Sequence, residues 1–120
     1  MLLAPAFGFL SHWLPKLGET QLLQWEQSGY LPVYHYGEQK LLPLHYQFVL
    51  DLHQYEATQL QKPIPTLILH GVNDAVIPIQ STRNYAFHRP WVQLIELESD
   101  HNLTNVLPEI WQAIQQFCLL

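Results

Sequence analysis

The chain has 120 residues, 48% of them hydrophobic and only 12% charged, with five Lys and Arg against ten Asp and Glu for a net charge of −5. That length suits one domain able to bury a core. With no basic cluster to meet phosphates, the balance excludes a nucleic-acid binder. The charged share is about half the usual one, and Gln supplies much of the polar surface, so some surface is expected to lie against a partner. A single cysteine, Cys118, excludes an internal disulfide and fits a reducing compartment. No stretch reaches the roughly 18 apolar residues of a membrane span. The apolar opening Met1 to Leu14 lacks a basic lead-in and is broken by Pro5, Gly8 and His12, so it does not read as a signal peptide. A cytoplasmic location is the expectation.

In chain order, Leu2-Leu3-Ala4-Pro5 reads as the end of a buried strand, entered midway and stopped by Pro5 and Gly8. Glu19 to Ser28 carries apolar Leu22, Leu23 and Trp25 before Gly29, the pattern of a helix with its C-terminal stop. Leu31 to Leu42 has Val33-Tyr34-His35-Tyr36, then Gly37-Glu38, then Lys40-Leu41-Leu42, which reads as a small hairpin. From Leu44 the apolar residues Leu44, Phe48, Leu52 and Tyr55 step by four, four and three, predicting a helix with Pro43 at its start. Lys62-Pro63-Ile64-Pro65 is a stiff connector.

Thr66 to His70 is a short apolar run without helical spacing, the pattern of a strand buried on both faces. Gly71 ends it, and Asn73-Asp74 places a carboxylate in the turn beyond. Ile79 to His88 suits a helix, and Trp91 to Leu97 a second strand that delivers Asp100-His101. Chemistry in an open parallel sheet collects beyond the carboxyl ends of its strands. Leu103, Val106, Leu107, Ile110, Trp111, Ile114, Phe117 and Cys118 trace one apolar stripe at helical spacing, with Asn105 as N-cap and Pro108 in the first turn. The sum is an α/β architecture: a short parallel sheet with flanking helices. An aromatic-rich insert over about 9–61, part helix and part hairpin, would sit above the strand ends as a cap.

The segment Leu67-Ile68-Leu69-His70-Gly71 with Asp74, Ile77 and Pro78, followed by Ser99-Asp100-His101 and a final amphipathic helix, resembles the C-terminal part of α/β-hydrolases. Leu2 to Ala6 is similar to the strand that follows the nucleophile helix of that fold. As a whole the chain looks most like the small bacterial esterases of the YqiA-like branch, read as a single domain of residues 1–120. The resemblance implies a partial α/β-hydrolase fold in which Asp74 is the orienting acid and His101 the base of a Ser-His-Asp triad. The order, acid then histidine, matches the later two-thirds of that triad.

The first third is missing. Ser11, Ser28, Ser81 and Ser99 are the only serines, and none lies in a G-x-S-x-G turn; the oxyanion-hole loop is missing as well. The expectation is an esterase-like serine hydrolase carrying acid and base but not nucleophile, inactive alone, that acts on a small-molecule ester once another segment supplies the serine. A non-catalytic remnant serving as a binding or interaction module is the alternative. The nucleophile strand of that fold would pair beside the strand at Leu2, so an open apolar edge and self-association are expected.

Simpler roles stand beside these. Asn-Asp commonly closes a turn, which is the plainer role for Asp74, and the plainer role for His101 is that of a loop histidine. Asp100 reads as a turn residue, His70 as a satisfied histidine near the site, and Cys118 as part of the core. The seven histidines show no H-E-x-x-H or paired Cys/His spacing, so no metal is expected. The chemistry needs no cofactor.

Overall fold

The computed structural model describes residues 1–55 and 59–119. The part of the expected insert at 56–58 lies outside them. The chain forms two compact units: Met1–Phe7 with Leu60–Leu120, and Gly8–Gln59.

The first unit is built on a three-stranded parallel sheet, β1 (Leu2–Leu3), β4 (Thr66–Gly71) and β5 (Val92–Leu97), in the order β1-β4-β5. Helix α4 (Ile79–Phe87) follows β4, and α5 (Leu107–Cys118) closes the chain. Residues 67–70 are fully buried in a central strand flanked on both sides. Side chains alternate along a strand, so one β4 face sends Leu67 and Leu69 into a core with Leu97, Leu103, Val106, Ile110 and Ala113, the layer of α5. The opposite face carries Ile68 and His70, and His70 meets Thr82 of α4. Helices therefore cover both faces, and a strand with no solvent side is apolar throughout, as expected of its sequence. A second anchor stacks Phe7 on Tyr85 at 3.9 Å between centroids, with the Arg89 guanidinium 3.9 Å from the centre of the same Tyr85 ring. Arg89 also donates to the carbonyls of Leu60 and Tyr85, which ties the start of this segment to α4.

The second unit comprises α1 (Phe9–Leu17), α2 (Glu19–Ser28), the antiparallel pair β2 (Tyr30–His35) and β3 (Lys40–His45), and the short α3 (Gln47–Leu52). Trp25, Leu31 and Val49 are its buried centre, with Leu10, Trp13, Leu14, Leu44 and Phe48 around them. The Trp25 indole N–H donates to the Leu44 carbonyl at 2.8 Å, so the buried ring leaves no polar atom unpaired.

Four details depart from the sequence-based expectations. The helix expected from Leu44 starts at Gln47, because β3 runs on through His45 in register with Tyr30. Its Pro43 lies opposite Pro32; neither has an N–H to donate, and a facing pair that exchanges no backbone hydrogen bonds accommodates both. Helix α1 goes beyond expectation: Leu10, Trp13, Leu14 and Leu17 repeat at helical spacing, a pattern obscured in the sequence by Pro15. The stripe on α5 is rotated from its expected centre, since Ile110 and Ala113 are buried while Leu107, Trp111 and Cys118 are exposed. Leu2 and Leu3 form a strand but are not buried, because among the described residues β1 pairs on one side only.

Leu69 has no solvent exposure and faces the α5 layer. Leu69→Ala is expected to cost roughly 2–5 kcal/mol of stability, read as a fall in the urea midpoint at unchanged slope.

Candidate functional site

The site lies where β4 and β5 end side by side. Their register carries through to Gly71 opposite Leu97, and the chain beyond stays paired. Val72 N–H donates to the Leu97 carbonyl at 2.9 Å and Asn73 N–H to the Ser99 carbonyl at 3.0 Å. This approach requires glycine at 71: a Cβ there would lie well inside van der Waals contact with the carbonyl oxygens of Ser99 and Asp100. Their backbone cannot yield without breaking the pairing, so the missing methyl group lets the second turn lie against the first.

Asp74 sits in the first turn with its side chain fully removed from solvent. One carboxylate oxygen, Oδ1, accepts the N–H groups of Val76 and Ile77 at 2.9 and 2.8 Å. The other, Oδ2, lies 2.8 Å from Nδ1 of His101 and 3.2 Å from Nε2 of His70. Burial by itself raises the carboxyl's pKa. The Ile77 N–H, the His101 imidazole and the Val76 N–H more than offset this, and the net position is below the usual 3.8.

His101 comes from the second turn. A carboxylate can only accept, so Nδ1 carries the proton it shares with Asp74, and Nε2 is left as the free face of the ring. Among the described residues Nε2 has no hydrogen-bond partner, and the side chain is 38% exposed. The turn is braced from behind. Ser99, itself buried, donates its hydroxyl to Asn105 Oδ1, and the Asn105 amide donates to the Glu98 carbonyl at 3.0 Å. Asn105 thus secures this loop instead of capping α5, whose N-cap position is Val106. Leu103 takes a left-handed conformation, φ 57°, that turns the chain into the last helix while its side chain stays buried.

Both residues singled out for chemistry, Asp74 and His101, are therefore in contact, 27 positions apart in sequence. Asp100 is a turn residue: its carboxylate accepts the Asn102 N–H. His70 is buried and polar on both ring nitrogens, with Thr82 Oγ1 at 2.8 Å and the Ile77 carbonyl at 2.9 Å. Sequence reasoning did not find Asn105 as a brace; a polar residue six positions after Ser99 carries no local signal for that contact. The hydroxyls of Ser28 and Ser81 donate to backbone carbonyls, and among the described residues no serine partners His101. Among the described residues no group of three His, Cys, Asp or Glu side chains could hold a metal ion, and no helix is long and apolar enough to cross a membrane.

The model of the Uncharacterised protein family (UPF0227) matches residues 1–118. The chain belongs to this family. No curated protein matches it significantly. Among solved structures it is similar to the alpha/beta hydrolase domain-containing protein 10 from mouse, with TM-score 0.70 and 21% identity. It is also similar to a putative hydrolase from Agrobacterium vitis S4, with TM-score 0.79 and 22% identity. Each alignment covers 98% of this chain but only 50% and 48% of the neighbour, so the chain spans about half the length of the structures it matches. The α/β-hydrolase resemblance read from Leu67 to Pro78 and Ser99 to His101 is borne out at the level of the fold, and the family model spans both segments.

Because the folded pKa of Asp74 is depressed, its contribution to stability is complete above the unfolded value and fades as pH falls through the folded one. Wild type should be more stable than Asp74→Asn near pH 6, and the gap should close below about pH 4, as measured by urea midpoints across that range.

Proposed function

We propose that Asp74 and His101 are the acid and base of an esterase-like serine hydrolase that cleaves small carboxylic esters. The observation that carries this reading is the 2.8 Å contact between Asp74 Oδ2 and His101 Nδ1, with Nε2 left open on the exposed side. The hydrolase-like fold of the structural neighbours supports it.

Asp74 holds the imidazole with its proton on Nδ1, so that the lone pair on Nε2 points outward. A serine hydroxyl there would pass its proton to Nε2 as its oxygen attacks the ester carbonyl. The imidazolium so formed would be stabilised by the buried carboxylate, and its proton then returned to the leaving alkoxide. Water repeats the sequence on the acyl-serine. No serine of these 120 residues lies in a G-x-S-x-G turn, and in this reading a further segment supplies both the nucleophile and the oxyanion donors.

Two experiments separate the possibilities. The 120-residue chain alone should show no stoichiometric labelling by a fluorophosphonate probe; labelling of Ser11, Ser28, Ser81 or Ser99 contradicts the assignment. Joined to a family N-terminal segment that carries G-x-S-x-G, the chain should hydrolyse short p-nitrophenyl esters. Asp74→Asn and His101→Ala should then each lower kcat by roughly 10⁴-fold or more, and turnover that survives either substitution refutes the reading.

A second reading, a non-catalytic module that binds through its sheet edge, is favoured by the exposure of Leu2 and Leu3 on β1. It predicts a molecular mass that rises with concentration in light scattering and no turnover by the joined protein.

A further inference from the structure

The mechanism above makes no use of a fully buried imidazole on the same carboxylate. We propose that His70 is the positioning residue of the Asp74–His101 pair: its Nε2–H holds the Ile77 carbonyl, and so the turn whose N–H groups grip Asp74, while its ring lies against the carboxylate, and Thr82 fixes the tautomer that allows this. The proposal rests on the reading of Asp74 and His101 as acid and base.

The tautomer follows from the partners. The Ile77 carbonyl, 2.9 Å from Nε2, can only accept, so Nε2 carries a proton. In the neutral ring Nδ1 then offers a lone pair, and the group facing it at 2.8 Å is the Thr82 hydroxyl, a donor with no solvent exposure. With Nε2–H donated to the Ile77 carbonyl, the same edge of the ring lies 3.2 Å from Asp74 Oδ2, a close polar contact beside the hydrogen bond.

Residue 77 is thereby held twice: its N–H donates to Asp74 Oδ1 and its carbonyl receives His70. An aspartate's terminal torsion is broad and two-fold, so rotamer preference alone does not aim Oδ2. Contacts aim it: two backbone N–H groups fix Oδ1, while His70 and His101 approach Oδ2 from separate elements. The other charge beside His70 is Glu96, its neighbour in the sheet register, and Arg83 of α4 already pairs with it. His70 is thus left to Asp74, Ile77 and Thr82. An apolar side chain would fill the same space more cheaply, since a buried polar ring needs every partner it has.

The test uses the intact chain labelled with ¹⁵N-histidine and requires no serine. Long-range ¹H–¹⁵N spectra should show His70 protonated at Nε2. The His101 Nδ1–H should exchange slowly with water. His70→Leu and Thr82→Val should each speed that exchange by roughly tenfold or more, the scale of one buried hydrogen bond left unmade. His70→Gln, whose amide N–H reaches the same place, should restore it, a rescue that a purely space-filling role does not predict. Thr82→Val keeps the side-chain volume and decides the matter if His70→Leu does not fold. Wild-type exchange in the folded variants, equal rates for the Leu and Gln variants, or a His70 proton on Nδ1 in wild type would each overturn the proposal. Absence of ester turnover in the joined wild-type protein, with the exchange pattern as expected, would instead count against the acid–base reading alone.

Discussion

The contact on which the site depends is one that a methyl group would forbid. At the end of β4, Gly71 allows the carbonyls of Ser99 and Asp100 to lie directly on the backbone, and that closeness lets Val72 and Asn73 extend the pairing past the ends of both strands. Two turns from distant parts of the chain thereby become one rigid ledge. A carboxylate on one and an imidazole on the other reach hydrogen-bond distance without either loop having to move.

Asp74 shows how a residue can be ordinary and special at once. Its Oδ1 does what aspartates do in turns, accepting the N–H groups two and three residues on. That leaves Oδ2 for the imidazoles. The turn-closing role and the proposed catalytic one are therefore complementary, because the first fixes the carboxylate that the second requires. The same backbone donors stabilise the charged form against burial, so the acid is ionised where it has to face an imidazole.

The division into two units has a physical basis in the two cores. Leu67, Leu69 and the inward residues of α5 form one; Trp25, Leu31 and Val49 form the other. The first is local to a parallel sheet whose strands need long crossovers. The second is assembled from neighbours in sequence, three helices and a hairpin, and the Trp25 indole joins α2 to β3 across it. The chain's aromatic residues concentrate in the second unit, which accounts for its packing without invoking a ligand.

Some of this was legible in the sequence because the signals were local. A run with no polar face, Thr66 to His70, specified a strand covered on both sides; Leu22, Leu23 and Trp25 before Gly29 specified α2; Gly37-Glu38 between apolar runs specified the hairpin. Asp74 and His101 could be named because each follows a strand end. Elsewhere local signals misled: the spacing from Leu44 to Tyr55 is helical, yet cross-strand pairing with β2 holds residues 44 and 45 extended, and the stripe of α5 was read too wide because periodicity gives a face but not its centre. Only the tertiary structure decided that Asp74 and His101 touch, that His70 lies against their carboxylate, and that Asn105 braces Ser99 instead of capping a helix. These contacts join residues whose neighbours in sequence carry no trace of one another, and they exist only once the strands are in register and the glycine has let the turns meet.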